Sequence, residues 1–125
     1  MNLLLDTHAL LWWLDDDPAL SHEAREIISG PDRDVYVSAA TAWEISIKKA
    51  LGKLETPDDL EAALLANAFQ ELPITIAHAT AAEQLPNHHS DPFDRMLVAQ
   101  AKVEGLTLVT RDKNIARYRI ALVVA

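Results

Sequence analysis

The chain opens with MNLLLDTHA (Met1–Ala9), and this stretch decides the fold class. Leu3, Leu4 and Leu5 form an apolar run far shorter than the ~18 residues of a membrane span, so we predict a buried strand. The run stops at Asp6. A carboxylate at the end of a buried strand lies at the mouth of the sheet, where open α/β folds bind their ligands. Asp6 also suits the N-cap of the next helix, and the sequence alone leaves both roles open.

Length and composition predict a single globular domain spanning residues 1–125. The chain is 50% apolar and 24% charged, which is an ordinary globular composition. Because it has no cysteine, a disulfide, a thiolate zinc site and a cysteine nucleophile are all excluded. No basic region precedes the first apolar run, so we expect no signal peptide, no membrane span and a cytoplasmic location.

The charge balance argues against a generic nucleic-acid binder, because 19 acids outnumber 11 bases and the net charge is −8. The bases are nevertheless grouped. Eight of them lie in two sets, Lys48, Lys49 and Lys53, then Arg95, Arg111, Lys113, Arg117 and Arg119. This distribution is compatible with a basic rim around an acidic centre, or with a basic protein partner.

Capping and turn signals predict strands that alternate with helices. The predicted strands are 3–5, 35–37, 72–76, 106–109 and 120–124, the third of them broken by Pro73. The predicted helices, with their caps, are 9–14, 21–28, 38–51, 56–68, 77–85 and 91–104. This alternation predicts a three-layer α/β/α fold with a central parallel sheet of about five strands. In the third helix, Trp43, Ile47 and Leu51 have the spacing of a core stripe, and Trp12 and Trp13 are expected in the core or an interface.

Four carboxylates fall at the carboxyl edge of this sheet: Asp6, Glu44, Asp94 and Asp112. A buried cluster of like charges is costly unless cations compensate it, and oxygen ligands suit Mg²⁺. Each carboxylate also has a structural alternative, such as a Glu44–Lys48 pair or a turn at Asp112. Their convergence favours a metal site that activates water for phosphodiester cleavage.

The motif Asp91-Pro92-Phe93-Asp94 contains two aspartates with different predicted roles. Proline belongs at the first helical position, which makes Asp91 the N-cap and Asp94 the third helical residue. We therefore assign metal binding to Asp94. The loop pair His88-His89 lacks the spacing of a zinc helix, and we predict no metal role for it.

Three stretches together resemble the PIN-domain family, and more narrowly the VapC-type toxins of toxin–antitoxin pairs. They are LLLDTHALLWWL (3–14), SAATAWEISIKKALGKL (38–54) and LPNHHSDPFDRMLVAQAKVEGLTLVTRDKNI (85–115). The resemblance implies an endoribonuclease dependent on Mg²⁺ or Mn²⁺, with its acidic site at the same four carboxylates.

The resemblance also implies partners. Family members are typically neutralised by a small cognate antitoxin, usually form homodimers, and contact DNA only through that antitoxin. The candidate substrate contacts, chosen beside the proposed ligands, are Thr7, His8, Lys48, Arg95, Thr110 and Arg111. The resemblance implies no particular RNA target.

Two other functions compete with this interpretation. A phosphotransferase of the haloacid-dehalogenase type would use Asp6 as a nucleophile, but it needs a second aspartate where this chain has His8. A catalytically silent module would use the acidic edge only to bind a basic partner. Glu44 distinguishes this silent module from the metal site. Partner binding needs only net negative charge, whereas a metal site needs each carboxylate in place.

Overall fold

The structure, a computed structural model, describes residues 1–54 and 59–125. Its five strands are β1 (Leu3–Leu5), β2 (Val35–Ser38), β3 (Gln70–Leu72), β4 (Thr107–Thr110) and β5 (Leu122–Val124). Its helices are α1 (Thr7–Leu14), α2 (His22–Ser29), α3 (Ala39–Ala50), α4 (Leu60–Ala66), α5 (Ile76–Glu83) and α6 (Pro92–Glu104). A 3₁₀ turn, Ile115–Arg117, joins β4 to β5.

The strands form one parallel sheet in the order β3-β2-β1-β4-β5, as the alternating pattern predicts. The side chains of β1 alternate between its faces: Leu3 and Leu5 join one core cluster and Leu4 the other. The first cluster includes residues of α1 and α2, and the second is built largely by α6. All three leucines are fully buried, which confirms the three-layer prediction and the central place of β1.

The strand order places a topological switch point beside β1. The chain leaves β1 for β2 on one side, while β4 pairs with β1 on the other. In open parallel sheets the crevice at such a point, outside the carboxyl ends of the strands, is where ligands bind. Asp6 follows β1 directly and Asp112 follows β4 by two residues, so both lie at this edge.

Most predicted helix boundaries are confirmed by their caps. The side chains of Ser21 and Ser38 accept hydrogen bonds from Ala24 N and Ala40 N at the starts of α2 and α3. Gly105 ends α6 with a φ of 67°, in the left-handed region where glycine is favoured. The predicted helix start at 56–58 lies outside the described residues. Within them, α4 has Asp59 as its N-cap and ends two residues before the predicted limit.

The predicted third strand, 72–76, was wrong in its position. The observed strand is Gln70–Leu72, and it ends just before Pro73. Proline has no N–H to donate to a sheet ladder, so the strand cannot continue through it. Thr75 then caps α5 in a reciprocal capping box with His78, which starts that helix at Ile76 instead of 77.

The predicted core stripe of α3 was also wrong. Trp43 is 63% exposed and Leu51 62% exposed, and Ile47 is also on the surface. The buried face of α3 consists of Ala40, Thr41 and Ile45 instead. Spacing at i, i+4, i+8 identifies an apolar face but does not say whether the protein's own core covers it. Across the described parts of the chain, no helix is long and apolar enough to cross a membrane.

Candidate metal centre

Asp6 is the N-cap of α1, one of the two roles open to it, and it also lies at the predicted mouth of the sheet. Its Oδ1 accepts a hydrogen bond from Ala9 N at 2.8 Å. The carboxylate also receives a hydrogen bond from the side chain of Thr110, at the end of β4. Only 5% of the residue is exposed. A capped helix start thus holds a buried carboxylate at the switch point, facing the neighbouring strand.

The start of α6 separates the two aspartates as predicted. Oδ1 of Asp91 accepts from Phe93 N at 2.8 Å and from Asp94 N at 3.4 Å, so Asp91 is the N-cap. Asp94 is left free of capping, and its Oδ2 lies 3.1 Å from His89 Nε2. The assignment of Asp94, not Asp91, to the acidic cluster therefore agrees with the geometry.

Asp112 divides its two oxygens between a turn and the cluster. Oδ1 accepts from Asn114 N at 2.7 Å and Ile115 N at 3.1 Å, which fixes the turn after β4. Oδ2 lies 3.1 Å from His89 Nε2. Thr110 Oγ1 accepts from Asp112 N at 3.1 Å, so one hydroxyl links Asp112 to Asp6.

His89 is the residue that sequence reasoning missed. Its Nε2 contacts both Asp94 and Asp112, and ligand-capable atoms of these three residues lie within 4.8 Å of one another. Its Nδ1 accepts a hydrogen bond from Asp91 N at 3.1 Å, and we therefore assign the imidazole proton to Nε2. The signal in the sequence was its place two residues before the helix cap.

Glu44 faces the same cavity but is held by other contacts. Its Oε1 accepts from Thr7 Oγ1 at 2.6 Å, and its Oε2 pairs with Lys48 Nζ at 3.0 Å. The predicted Glu44–Lys48 pair is thus present. A cavity of about 270 Å³ joins the four predicted carboxylates, and it is lined by Asp6, Thr7, His8, Trp12, Glu44, Asp94, Arg111 and Asp112.

Burial changes the pKa values of the aspartates in this cavity. Burial raises the pKa of Asp6, although hydrogen bonds from Thr110 and Ala9 oppose the shift. Burial, together with the nearby Asp91 charge, raises the pKa of Asp94 to about 7. Burial would also raise the pKa of Asp112, but hydrogen bonds from His89 and two backbone N–H groups outweigh it, so this pKa is lower than usual.

Arg95, a predicted substrate contact, is hydrogen-bonded within the protein. Its guanidinium donates to the carbonyl oxygens of Ala82 at 2.8 Å and Pro86 at 3.2 Å, and also to those of Leu85 and His89. It also donates to the Tyr118 hydroxyl at 3.3 Å. These bonds tie the loop before α6 to the end of α5, and they leave the guanidinium little freedom to bind phosphate.

Of the other predicted substrate contacts, some line the cavity and others do not. Arg111 lines the cavity, but its guanidinium donates to backbone oxygens of Ala19 and Ala125 and lies over the Trp12 ring at 4.5 Å. Thr7 and His8 line the cavity, and His8 is exposed. Lys48 is not among the lining residues and pairs with Glu44.

The donor set suits a hard divalent cation. Three carboxylates approach one another at the sheet edge, and two of them have raised pKa values, mainly because burial disfavours the charged form and also because other carboxylates are near. Oxygen ligands of this kind are what Mg²⁺ and Mn²⁺ bind. The site thus defines a class of protein, a parallel α/β sheet with carboxylates gathered at its switch point.

Comparison with known proteins identifies the family. The PIN domain family matches residues 3–121, and the chain belongs to that family. The chain is 29% identical over 121 residues to ribonuclease VapC22 of Mycobacterium tuberculosis, covering 94% of this chain and 92% of that protein.

Two solved structures share the fold at low sequence identity. One is VapBC2 of Rickettsia felis bound to a promoter DNA fragment, with a TM-score of 0.73, 15% identity and 98% of each chain covered. The other is a toxin–antitoxin complex from Klebsiella pneumoniae, with a TM-score of 0.68, 19% identity, and 98% of this chain and 96% of that chain covered.

Proposed function

We propose that this protein is a metal-dependent endoribonuclease and the toxin of a type II toxin–antitoxin pair. The observation that carries the proposal is the convergence of Asp6, Asp94 and Asp112 at the switch point of a PIN-domain sheet, with Glu44 on the same cavity. The relative named ribonuclease VapC22 supports RNA as the substrate.

The residues that would hold Mg²⁺ or Mn²⁺ are Asp6, Asp94 and Asp112, with Glu44 on the same cavity. When bound, the ion supplies a Lewis acid that makes water a better nucleophile and offsets the charge of the phosphate. The chain's own contribution is to hold these oxygens in place before the ion arrives. Thr110 links Asp6 to Asp112, and His89 links Asp112 to Asp94.

Glu44 has a distinct place in the proposal. The Thr7 hydroxyl donates to one of its oxygens and the Lys48 ammonium to the other, so both contacts orient the carboxylate beside the cavity. An ion held there would offset the charge of Glu44, and Lys48, now paired with Glu44, would then be placed to contact a substrate phosphate. We therefore keep Lys48 as a substrate contact and assign Arg95 to the support of the loop.

The partners follow from the same proposal. The two related complexes contain an antitoxin or promoter DNA, and we propose a cognate antitoxin for this chain, with DNA contacted only through it. We also propose a cytoplasmic homodimer. The exposed apolar residues of α3 and its C-cap, Trp43 and Leu51, supply a face that a second copy would cover.

The direct test is RNA cleavage by the purified protein. With Mg²⁺ or Mn²⁺ present we expect cleavage of a total-RNA substrate, which EDTA stops and added metal restores. Asp6→Asn removes charge but little volume, and it should fold normally without cleaving. Asp15→Asn is the matched control, because Asp15 is exposed at the opposite end of α1. Cleavage by Asp6→Asn at the wild-type rate would contradict the proposal and favour a silent binding module.

A further inference from the structure

Three cationic side chains border a second cavity, of about 180 Å³, which lies outside the carboxylate cluster. They are Lys102, Arg117 and Arg119, and none of them pairs with a carboxylate among the described residues. No acidic residue of the described chain lines this cavity, although the protein has a net charge of −8. Its wall is otherwise mainly apolar and aromatic, formed by Leu85, Pro86, His88, Val98, Tyr118 and Ile120.

Local structure explains how the cations are gathered there. Tyr118 follows the 3₁₀ turn in an extended conformation, with φ −79° and ψ 150°, and only 5% of it is exposed. Arg117, the last residue of the 3₁₀ turn, and Arg119 flank the buried Tyr118 in sequence, and both are exposed. Lys102 lies one turn after Val98 on α6, so both reach the same cavity.

The loop residues His88 and His89 link the cavity to the carboxylate centre. The Tyr118 hydroxyl accepts a hydrogen bond from the backbone N–H of His89 at 3.1 Å. The ring of His88, the neighbour of His89, meets the Tyr118 ring edge-on with 5.0 Å between centroids. Adjacent residues of one loop, His88 and His89, therefore border the two sites, which places the cavity beside the carboxylate centre.

Other cations near the centre have partners in this structure, although Lys48 is proposed above to leave Glu44 for a substrate phosphate. Lys48 pairs with Glu44, Arg95 binds four carbonyl oxygens, and Arg111 binds the carbonyls of Ala19 and Ala125. RNA carries a phosphate at every nucleotide, and each phosphate that binds protein favours a positive partner. Lys102, Arg117 and Arg119 are cations that remain available beside the centre.

We infer that this second cavity binds the RNA strand next to the cleaved bond, with backbone phosphates on Lys102, Arg117 and Arg119 and a base against the His88–Tyr118 wall. Single-stranded nucleic acid is bound in this way, by a basic groove combined with aromatic and apolar surface. The inference rests on the proposed ribonuclease function. An acidic protein segment would satisfy the cations, but it would make no use of the apolar wall or the adjoining carboxylate centre.

The test uses the Asp94→Asn protein with Mg²⁺, so that RNA is bound without being cut. Binding of a fluorescent single-stranded RNA of roughly 12 nucleotides is measured by anisotropy across a NaCl series. The test variants add Arg117→Gln with Arg119→Gln, or Lys102→Gln. Lys53→Gln is the matched control, since Lys53 is an exposed lysine that does not line the cavity. Arg119→Lys tests whether charge alone suffices.

Removal of one phosphate-binding cation should reduce the slope of log affinity against log salt by about 0.7, and removal of two by about 1.4. Lys53→Gln and Arg119→Lys should leave the slope unchanged. If the wild type cleaves RNA but every cavity variant keeps the parental slope, the inference is overturned and the proposed function stands. If polyglutamate binding falls in those variants while RNA binding does not, the cavity docks protein, which also overturns it. Absence of both RNA binding and cleavage in the wild type would overturn the proposed function itself.

Discussion

The backbone N–H of Asp91 donates to Nδ1 of His89 over 3.1 Å, and this hydrogen bond determines what His89 does. With Nδ1 acting as an acceptor, the proton is on Nε2, which faces Asp94 and Asp112 at 3.1 Å each. A protonated Nε2 has no lone pair for a metal. His89 is thus a hydrogen-bond donor that positions two carboxylates, rather than a metal ligand.

This role predicts the effect of replacing His89. Glutamine carries an N–H donor near the position of Nε2, so His89→Gln should retain most of the affinity for Mn²⁺. His89→Ala removes the donor and should weaken Mn²⁺ binding by about 10-fold to 100-fold, as removal of a group that orients metal ligands does. Titration of the protein with Mn²⁺, followed by electron paramagnetic resonance, measures this directly.

The control for these variants is His22→Ala, on the exposed surface of α2. It should bind Mn²⁺ like the wild type. A spectrum in which Mn²⁺ shows a directly bound imidazole nitrogen, absent in His89→Ala, would make His89 a ligand and refute the positioning role.

The two aspartates of α6 should respond in opposite ways. Asp91→Ala removes the cap from the N–H groups of Phe93 and Asp94, and it should cost about 1 kcal/mol of stability while cleavage largely persists. Asp94→Asn should abolish cleavage without loss of stability. Melting temperature and RNA cleavage, measured on both variants, test the assignment, and the reverse pattern would assign the metal role to Asp91.

Stability of the metal-free protein should depend on pH through Asp94. Its pKa is about 7 in the folded protein against 3.8 in the unfolded chain, so the folded state keeps a proton that the unfolded state has released. Stability should therefore fall as pH rises from about 4 to about 7 and then level off. Asp94→Asn should flatten this fall and raise stability at neutral pH, because it removes the carboxylate whose ionisation the folded state disfavours. Urea unfolding in EDTA at several pH values measures the free energy of unfolding of the wild type and of Asp94→Asn. An equal fall with pH in both proteins would refute the assignment of this pH dependence to Asp94.

Replacing Arg95 should affect the fold more than RNA binding. Its guanidinium satisfies carbonyls at 2.8 to 3.4 Å along the loop before α6, so Arg95→Gln should cost about 2 kcal/mol. The salt dependence of RNA binding should not change. Thermal unfolding and the salt slope together distinguish this from a phosphate contact, which would show a lower slope and an unaltered melting temperature.

Substitutions on the two faces of α3 should differ in their effects on stability and self-association. Ile45→Ala, at a position only 2% exposed, should cost about 2 to 5 kcal/mol because the packing around the side chain is removed. Trp43→Ser should cost far less, because 63% of the tryptophan is exposed, but it should weaken self-association in sedimentation experiments. A monomeric wild type would contradict the proposed dimer.

Local sequence was sufficient for most of the fold and for the candidate acidic site. A three-leucine strand, serine caps before α2 and α3, and Asp91-Pro92 before α6 each act within a few residues, so their consequences could be predicted from the chain itself. Because parallel strands end at the same edge of a sheet, Asp6 and Asp112 were predicted to converge, and the structure places them on one cavity.

Only the tertiary structure decided which partners each side chain meets. The exposure of Trp43 depends on which face of α3 packs against the sheet, and helical spacing does not contain that information. His89 reaches Asp112 across 23 positions of sequence, and Arg95 meets Tyr118 across the same separation. Such contacts are made after the elements have docked, when an N–H or a guanidinium must find a partner among groups distant in the chain. The sequence by itself therefore determined where the carboxylates gather, and the packed fold decided that a histidine contacts two of them and that Arg95 bonds to carbonyls of the loop before α6.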